Sequence, residues 1–193
     1  MSLTRIEGRS ALVVIDLQRA VATAPAAAPV EEITERASRL AAAFRSRGLP
    51  VVLVNVTGGA PGRTDAHQAT RPRAERPAGW AELLPELGPE RSDILITKQT
   101  WGAFHRTPLD EQLRGQGVTQ VVLAGIATSI GVESTARAAH EHGYHVVLVT
   151  DAMTDGNADA HHNSVTRIFP RLGETATTDQ VLGKLGETVG QAR

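Results

Sequence analysis

Cysteine is absent from this chain of 193 residues. The absence excludes disulfides, thiolate metal ligands and thiol nucleophiles. Aromatic residues are also scarce, because the chain holds only two Trp, one Tyr and three Phe. So few rings argue against a surface on which nucleic acid bases stack.

Neither an excess of one charge nor a long hydrophobic run is present. The chain carries 20 basic and 21 acidic residues, so nucleic acid and anionic membranes are not predicted as partners. Its longest apolar runs have about six residues, far fewer than the roughly 20 that span a bilayer. The polar N-terminus, with Arg5, Glu7 and Arg9, does not resemble a secretory signal. We therefore expect a cytoplasmic protein.

The hydrophobic pattern predicts strands that are buried on both faces. Hydrophobic residues make up 41% of the chain, which at this length fits one domain, 1–193, with a sizeable core. Runs rich in Val, Ile and Leu cover residues 11–15, 51–56, 94–96, 121–124 and 146–149. These runs are nearly continuous rather than alternating, which indicates a parallel sheet covered by helices.

Segments of helical period separate the strands. Residues 31–47, 108–116 and 131–141 place apolar side chains on one stripe, and a glycine follows or ends each before the next strand. Thr178 or Asp179 is expected to cap a last helix. The pattern predicts an α/β fold: a three-layer sandwich with a mainly parallel sheet of five to six strands and helices on both faces.

Two stretches are predicted to be loops. Residues 22–29 are rich in Ala and Pro, and residues 57–79 are rich in Gly, Pro and Arg. The longer loop carries Arg63, Arg71, Arg73 and Arg76, which could recognise a carboxylate substrate or form a solvated or subunit-contacting segment.

Polar residues converge where the predicted strands end. Asp16 follows the first strand, Lys98 follows the third, and the turn 125–131 follows the fourth. Ligands of open parallel sheets bind beyond this edge. A carboxylate there can move protons, and an ammonium can stabilise negative charge. Alternatively, Asp16 forms a turn and Lys98 is a solvated strand end.

Three motifs in order resemble the isochorismatase-like, or cysteine hydrolase, family. They are ALVVIDLQ at 11–18, Lys98 followed by WGAFHRTPL at 101–109, and GIATSIGVESTAR at 125–137. The resemblance covers about residues 9 to 170 and implies the family's Rossmann-like topology. It also implies that Asp16 and Lys98 are catalytic.

The third motif departs from the family at its nucleophile. Gly131 stands where the family's amidases have the cysteine that attacks a carbonyl. The resemblance implies a hydrolase without a covalent intermediate, acting on an isochorismate-like vinyl ether to release pyruvate. Asp16 would be the general acid, Lys98 would organise the charges, and Gly131 would leave room for substrate. Two alternatives stay open: a small-molecule-binding relative without activity, or a C–N hydrolase that uses water or Ser134.

The resemblance also implies a substrate pocket. Its expected members are Gln18, Trp101, Phe104, His105, Ile126, Ala127 and Thr128. The family's non-proline cis peptide would lie at Ile126–Ala127 and aim N–H groups into the pocket. For Trp101 and Phe104, packing in the core is the alternative.

No metal or cofactor is predicted. The Asp65-Ala66-His67 segment comes too late after the second strand to match the metal site of nicotinamidases, and the adjacent His161 and His162 would point in different directions on a helix. The resemblance implies a homo-oligomer, a dimer or tetramer, with a small-molecule substrate as its other partner.

Overall fold

Six parallel strands form one sheet. A computed structural model describes residues 3–22, 26–59, 62–65 and 77–188. The strands are β1 (Ser10–Ile15), β2 (Val51–Val56), β3 (Ile94–Lys98), β4 (Gln120–Ile126), β5 (His145–Thr154) and β6 (Glu174–Ala176). Their order is β3-β2-β1-β4-β5-β6, and every neighbouring pair is parallel.

Helices cover both faces of the sheet. They are α1 (Arg19–Ala22), α2 (Val30–Arg45), α3 (Leu109–Gly115), α4 (Glu133–Glu141), α5 (Ala158–Asn163) and α6 (Thr178–Thr188). The helices α2 and α6 pack into one core cluster, whereas α3 and α4 pack into a second on the opposite face. The predicted fold class is confirmed. Within the described ranges, no helix is both long and apolar enough to cross a bilayer.

Strand β1 shows why the sequence forms this architecture. All six of its residues are buried, and their side chains alternate between the two core clusters. Leu12 and Val14 lie in the cluster under α2, whereas Val13 and Ile15 lie in the cluster under α3 and α4. A strand with helices on both sides needs an apolar residue at every position, and β1 supplies one at each from Ala11 onward.

Several predicted boundaries are corrected by the structure. Strands β3, β4 and β5 run further than the apolar runs, because backbone pairing continues into polar residues. Helix α4 begins at Glu133 rather than at Gly131, since a π-helical turn (Thr128–Val132) precedes it. Thr177, not Thr178 or Asp179, caps α6: its hydroxyl accepts from the Gln180 N–H, and the Gln180 side chain accepts from the Thr177 N–H.

The register of the sheet brings the site residues to one edge. Ile15, at the end of β1, pairs with Val54 of β2 and with Gly125 of β4. Lys98 ends β3 opposite Val56 of β2. Strands are about 4.8 Å apart, so β1 and β3 are separated by about 10 Å. Only a long side chain on β3 can reach Asp16, and Lys98 is long enough.

Gly125 is the glycine on which the end of β4 depends. Its φ is +117°, and a Cβ there would lie 2.1 Å from the Ile15 carbonyl oxygen. We predict that Gly125→Ala lowers the free energy of unfolding by more than about 3 kcal/mol. Gly143→Ala is the matched control, because Gly143 also has a positive φ but meets nothing within 4 Å. Urea denaturation of both variants checks this; equal losses would contradict it.

Candidate active site

A buried ion pair lies at the carboxyl edge of the sheet. The Lys98 ammonium lies 2.7 Å from Oδ2 of Asp16, and the side chains are 1% and 9% exposed. The same ammonium donates to the carbonyl oxygen of Trp101 at 2.5 Å. Asp16 itself has a left-handed backbone, with φ of 51°, as the chain turns away from β1. The predicted convergence of Asp16 and Lys98 is therefore what the structure shows.

The two oxygens of the Asp16 carboxyl group differ in their hydrogen bonding. Among the residues that the structure describes, none donates a hydrogen bond to its buried Oδ1. Burial raises the pKa of Asp16 to about 6, and the charge and hydrogen bond of Lys98 oppose that rise. Asp16 can therefore hold or release a proton near neutral pH, and Oδ1 is the atom that can exchange it.

Gly131 lies against this pair. A Cβ on Gly131 would lie 3.3 Å from Asp16 Oδ2, 3.3 Å from Lys98 Nζ and 3.0 Å from Cγ2 of Ile15. Position 131 thus faces the carboxylate and the ammonium directly. Gly131 presents only a Cα there, and even one added carbon would be in tight contact with the pair.

The turn that carries Gly131 follows the cis peptide bond between Ile126 and Ala127, at the position that the family resemblance predicts. The amides of Ile130 and Val132 both donate to the Ala127 carbonyl oxygen, at 3.1 Å. At the other end, the Thr135 hydroxyl donates to the Gly131 carbonyl oxygen at 2.7 Å. Backbone and side-chain hydrogen bonds therefore hold both ends of the turn.

Three residues beyond β5 contact this turn or the start of α4, and the sequence did not identify them as site residues. Asp155 accepts both the N–H and the hydroxyl of Ser129 at 2.7 Å. His161 Nδ1 lies 2.8 Å from the hydroxyl of Thr128. Ser164 donates to Glu133, the first residue of α4, at 2.6 Å. The sequence signal for this segment is a polar Asp-x-Asn run that precedes a short helix. Asn157 in that run caps α5.

Two expected pocket residues make contacts within the protein. The side chain of Gln18 is fully buried; its amide donates to the Val56 carbonyl oxygen and accepts from the Val56 N–H, so it joins the ends of β1 and β2. The Phe104 ring packs in the core, which is the alternative that its sequence position left open. Its centroid lies 5.1 Å from that of His142 and 5.9 Å from that of Tyr144.

The remaining pocket candidates differ in exposure. Trp101 is 56% exposed while its carbonyl holds Lys98, and His105 is also exposed. Ala127 is half-buried against the core. Ile126 and Thr128 have buried side chains. Ile130, which precedes Gly131, is 40% exposed and was not predicted as a site residue.

Some predictions lie outside the described residues. They include His67 and the arginines at 71, 73 and 76; Arg63 is described and exposed. Ser134, the alternative nucleophile, is half-buried, and its Cβ would lie 3.6 Å from a Cβ built on Gly102. Across the described part of the chain, no group of three His, Asp or Glu residues is arranged to hold a metal ion.

Comparison with known proteins agrees with this geometry. Residues 10–180 match the model of the isochorismatase domain. The chain is 42% identical over 182 residues to the isochorismatase family protein YecD of Escherichia coli O157:H7, covering 91% of this chain and 96% of YecD. The structure of an isochorismatase family protein from Burkholderia thailandensis has 38% identity and a TM-score of 0.89, covering 96% of this chain and 100% of that chain.

A more distant relative has a named activity. The chain is 29% identical over 174 residues to the ureidoacrylate amidohydrolase RutB of Methylobacterium radiotolerans, covering 78% of this chain and 67% of that protein. Fold, site and family match together define an α/β hydrolytic enzyme with a buried Asp–Lys pair. The chain belongs to the isochorismatase family and is a hydrolase of that family.

The ion pair predicts how Asp16 titrates. We predict that the Asp16 carboxyl has a midpoint near 6 and that Lys98→Met raises it by about one unit or more, because the opposing ammonium is removed. Carbon-13 NMR of the aspartate carboxyls checks this, with Lys184→Met, on the surface helix α6, as the control. An unchanged Asp16 midpoint in Lys98→Met would contradict the pairing.

Proposed function

We propose that this hydrolase acts without a covalent intermediate on an isochorismate-like vinyl ether and releases pyruvate. In this proposal, Asp16 is the general acid and Lys98 holds its carboxylate form and the substrate's negative charge. Gly131 gives the substrate room beside the pair. Membership of a hydrolase family supports hydrolytic activity. The substrate class and the reaction route without cysteine are proposals.

One observation carries the proposal: a buried carboxyl with a pKa of about 6, whose Oδ1 accepts no hydrogen bond from the described residues, lies against a glycine rather than a thiol. A thiol route needs a cysteine, and the chain has none. A vinyl ether needs only an acid and water. A group with a pKa near the working pH is the kind that serves best as that acid.

The reaction balances with the groups at this edge. Protonated Asp16 gives its proton to the methylene carbon of the vinyl ether, which leaves an oxocarbenium ion. Water adds to the cationic carbon, and the resulting hemiketal breaks to pyruvate and the alcohol. The proton lost by the added water returns to Asp16. Throughout, the Lys98 ammonium lowers the free energy of the buried Asp16 carboxylate.

A C–N hydrolase is the second candidate, favoured by the similarity to a ureidoacrylate amidohydrolase. In that case Asp16 would act as a base on water, or Ser134 would replace the cysteine. A relative that only binds its ligand has less support. Such a protein need not keep Lys98 buried, yet Lys98 is 1% exposed and bonded to Asp16.

Further parts of the proposal concern cofactors, assembly and location. We propose that no metal is needed, because the Lys98 ammonium supplies the positive charge next to Asp16. A homo-oligomer is supported by Leu95, 64% exposed on the edge strand β3. We also propose a cytoplasmic location for this hydrolase.

The first test is pyruvate release from isochorismate by the purified protein. We predict release by the unmodified chain and a loss of roughly 10²- to 10⁴-fold in Asp16→Ala, which removes the general acid. Glu111→Gln, an exposed change on α3, is the control and should retain the full rate. Without release by the unmodified chain, the vinyl ether proposal fails; full activity in Asp16→Ala would remove Asp16 from the mechanism.

The space beside Gly131 gives a second prediction. Gly131→Ala should lower kcat/KM for pyruvate release by roughly tenfold, because its Cβ crowds Ile15, Asp16 and Lys98. Gly115→Ala is the matched control, since a Cβ there meets nothing within 4 Å. Steady-state kinetics of both variants check this. An alanine at 131 that leaves kcat/KM unchanged would show that the substrate does not use this space.

A further inference from the structure

A short segment after β5 holds the turn that carries Gly131. It contacts the turn and the start of α4 at three points: Asp155 on Ser129, His161 on Thr128, and Ser164 on Glu133. These contacts are made by side chains. The position of the turn therefore depends on residues more than twenty positions away in sequence.

His161 makes the most informative of these contacts. It lies on α5, which packs against the turn 128–132. The hydroxyl that it meets belongs to Thr128, whose side chain is fully buried at the first position of the turn. A buried hydroxyl needs a hydrogen-bond partner, and the ring nitrogen of His161 supplies one at 2.8 Å. Gly131 lies three residues further along the same turn.

The protonation state of His161 decides the direction of this hydrogen bond. Burial lowers the pKa of His161, the nearby Asp155 opposes that change, and His162 adds to it. The ring is therefore neutral at pH 7. A neutral ring can accept the Thr128 proton at Nδ1 and carry its own proton on Nε2. A protonated ring can only donate, so Thr128 would have to accept.

We propose that His161 is a positioning residue: through the Thr128 hydroxyl it holds the turn that keeps Gly131 against the Asp16–Lys98 pair. Protonating His161 reverses the hydrogen bond and displaces the turn. The effect on catalysis rests on the proposed function, whereas the effect on the turn does not. His161 touches no reacting atom in this scheme and acts only through Thr128.

Nuclear magnetic resonance tests the coupling without a substrate. In the unmodified protein, part of the pH-dependent shift of the amides 129–132 should follow the midpoint of the His161 ring. The variant His161→Asn should lose that part, because its amide oxygen can accept from Thr128 but does not titrate. The component due to Asp16 should remain in both proteins. The proposal would be overturned if the chemical shifts of the turn amides showed no change at the His161 midpoint, or if they changed with pH identically in His161→Asn and the unmodified protein.

Kinetics of pyruvate release test the Thr128–His161 hydrogen bond by comparing variants that remove it with variants that keep it. Thr128→Val and His161→Leu should each lower kcat by roughly tenfold, and the double variant should lose little more, because one bond is removed in all three. Thr128→Ser and His161→Asn, which keep the bond, should stay within roughly threefold of the unmodified rate. Equal losses in His161→Asn and His161→Leu would overturn the proposal. If the unmodified protein releases no pyruvate, the proposed substrate is wrong, and the amide titration alone decides the role of His161.

Discussion

The buried contact between Lys98 and Asp16 is the interaction on which the rest of the site depends. Two charges this deep lose much of their hydration, so each needs the other. Removing one partner would leave an unpaired buried charge, which typically costs about 3–5 kcal/mol. The order of the strands explains how they meet. Asp16 follows the central strand β1, and Lys98 reaches over β2 from the edge strand β3.

Burial of this pair also gives the site its chemistry. In water the carboxyl of an aspartate is ionised at neutral pH, and an amine alone would keep it so. Burial works against the ammonium and raises the pKa of Asp16 to about 6. Gly131 places only a Cα against the pair, and the turn around Gly131 is fixed by Ala127, Thr135 and the residues beyond β5. The proton-transferring group and the turn that lies against it therefore come from different elements at one sheet edge.

Much of this arrangement could be predicted from sequence because it follows from local patterns. Continuous apolar runs located the strands, and the ion pair is formed by Asp16, which follows β1, and Lys98, which ends β3. The side-chain partners of the turn could not be predicted in this way. His161 and Thr128 are 33 positions apart, and only the packing of α5 on the turn brings them together. The residues next to His161 and Thr128 in the sequence do not predict that contact.

Two of the expected pocket residues show the same limit. Gln18 follows Asp16 by two positions, and its amide is hydrogen-bonded to the backbone of Val56 at the end of β2, a contact between strands that the local sequence does not specify. Phe104 follows Lys98 closely, yet its ring points into the core beside His142 and Tyr144. Distance along the chain from a catalytic residue does not determine where a side chain points once a turn intervenes.

The most direct test of the account is the pH dependence of kcat/KM for isochorismate. The folded pKa of Asp16 is raised, so its carboxyl is protonated below about pH 6 and ionised above it. If Asp16 is the general acid, kcat/KM falls as the pH rises through about 6, and Lys98→Met moves that fall to higher pH. A rate that instead increases through pH 6 would show that Asp16 acts as a base, which would contradict the proposed mechanism and favour attack by water on a C–N bond.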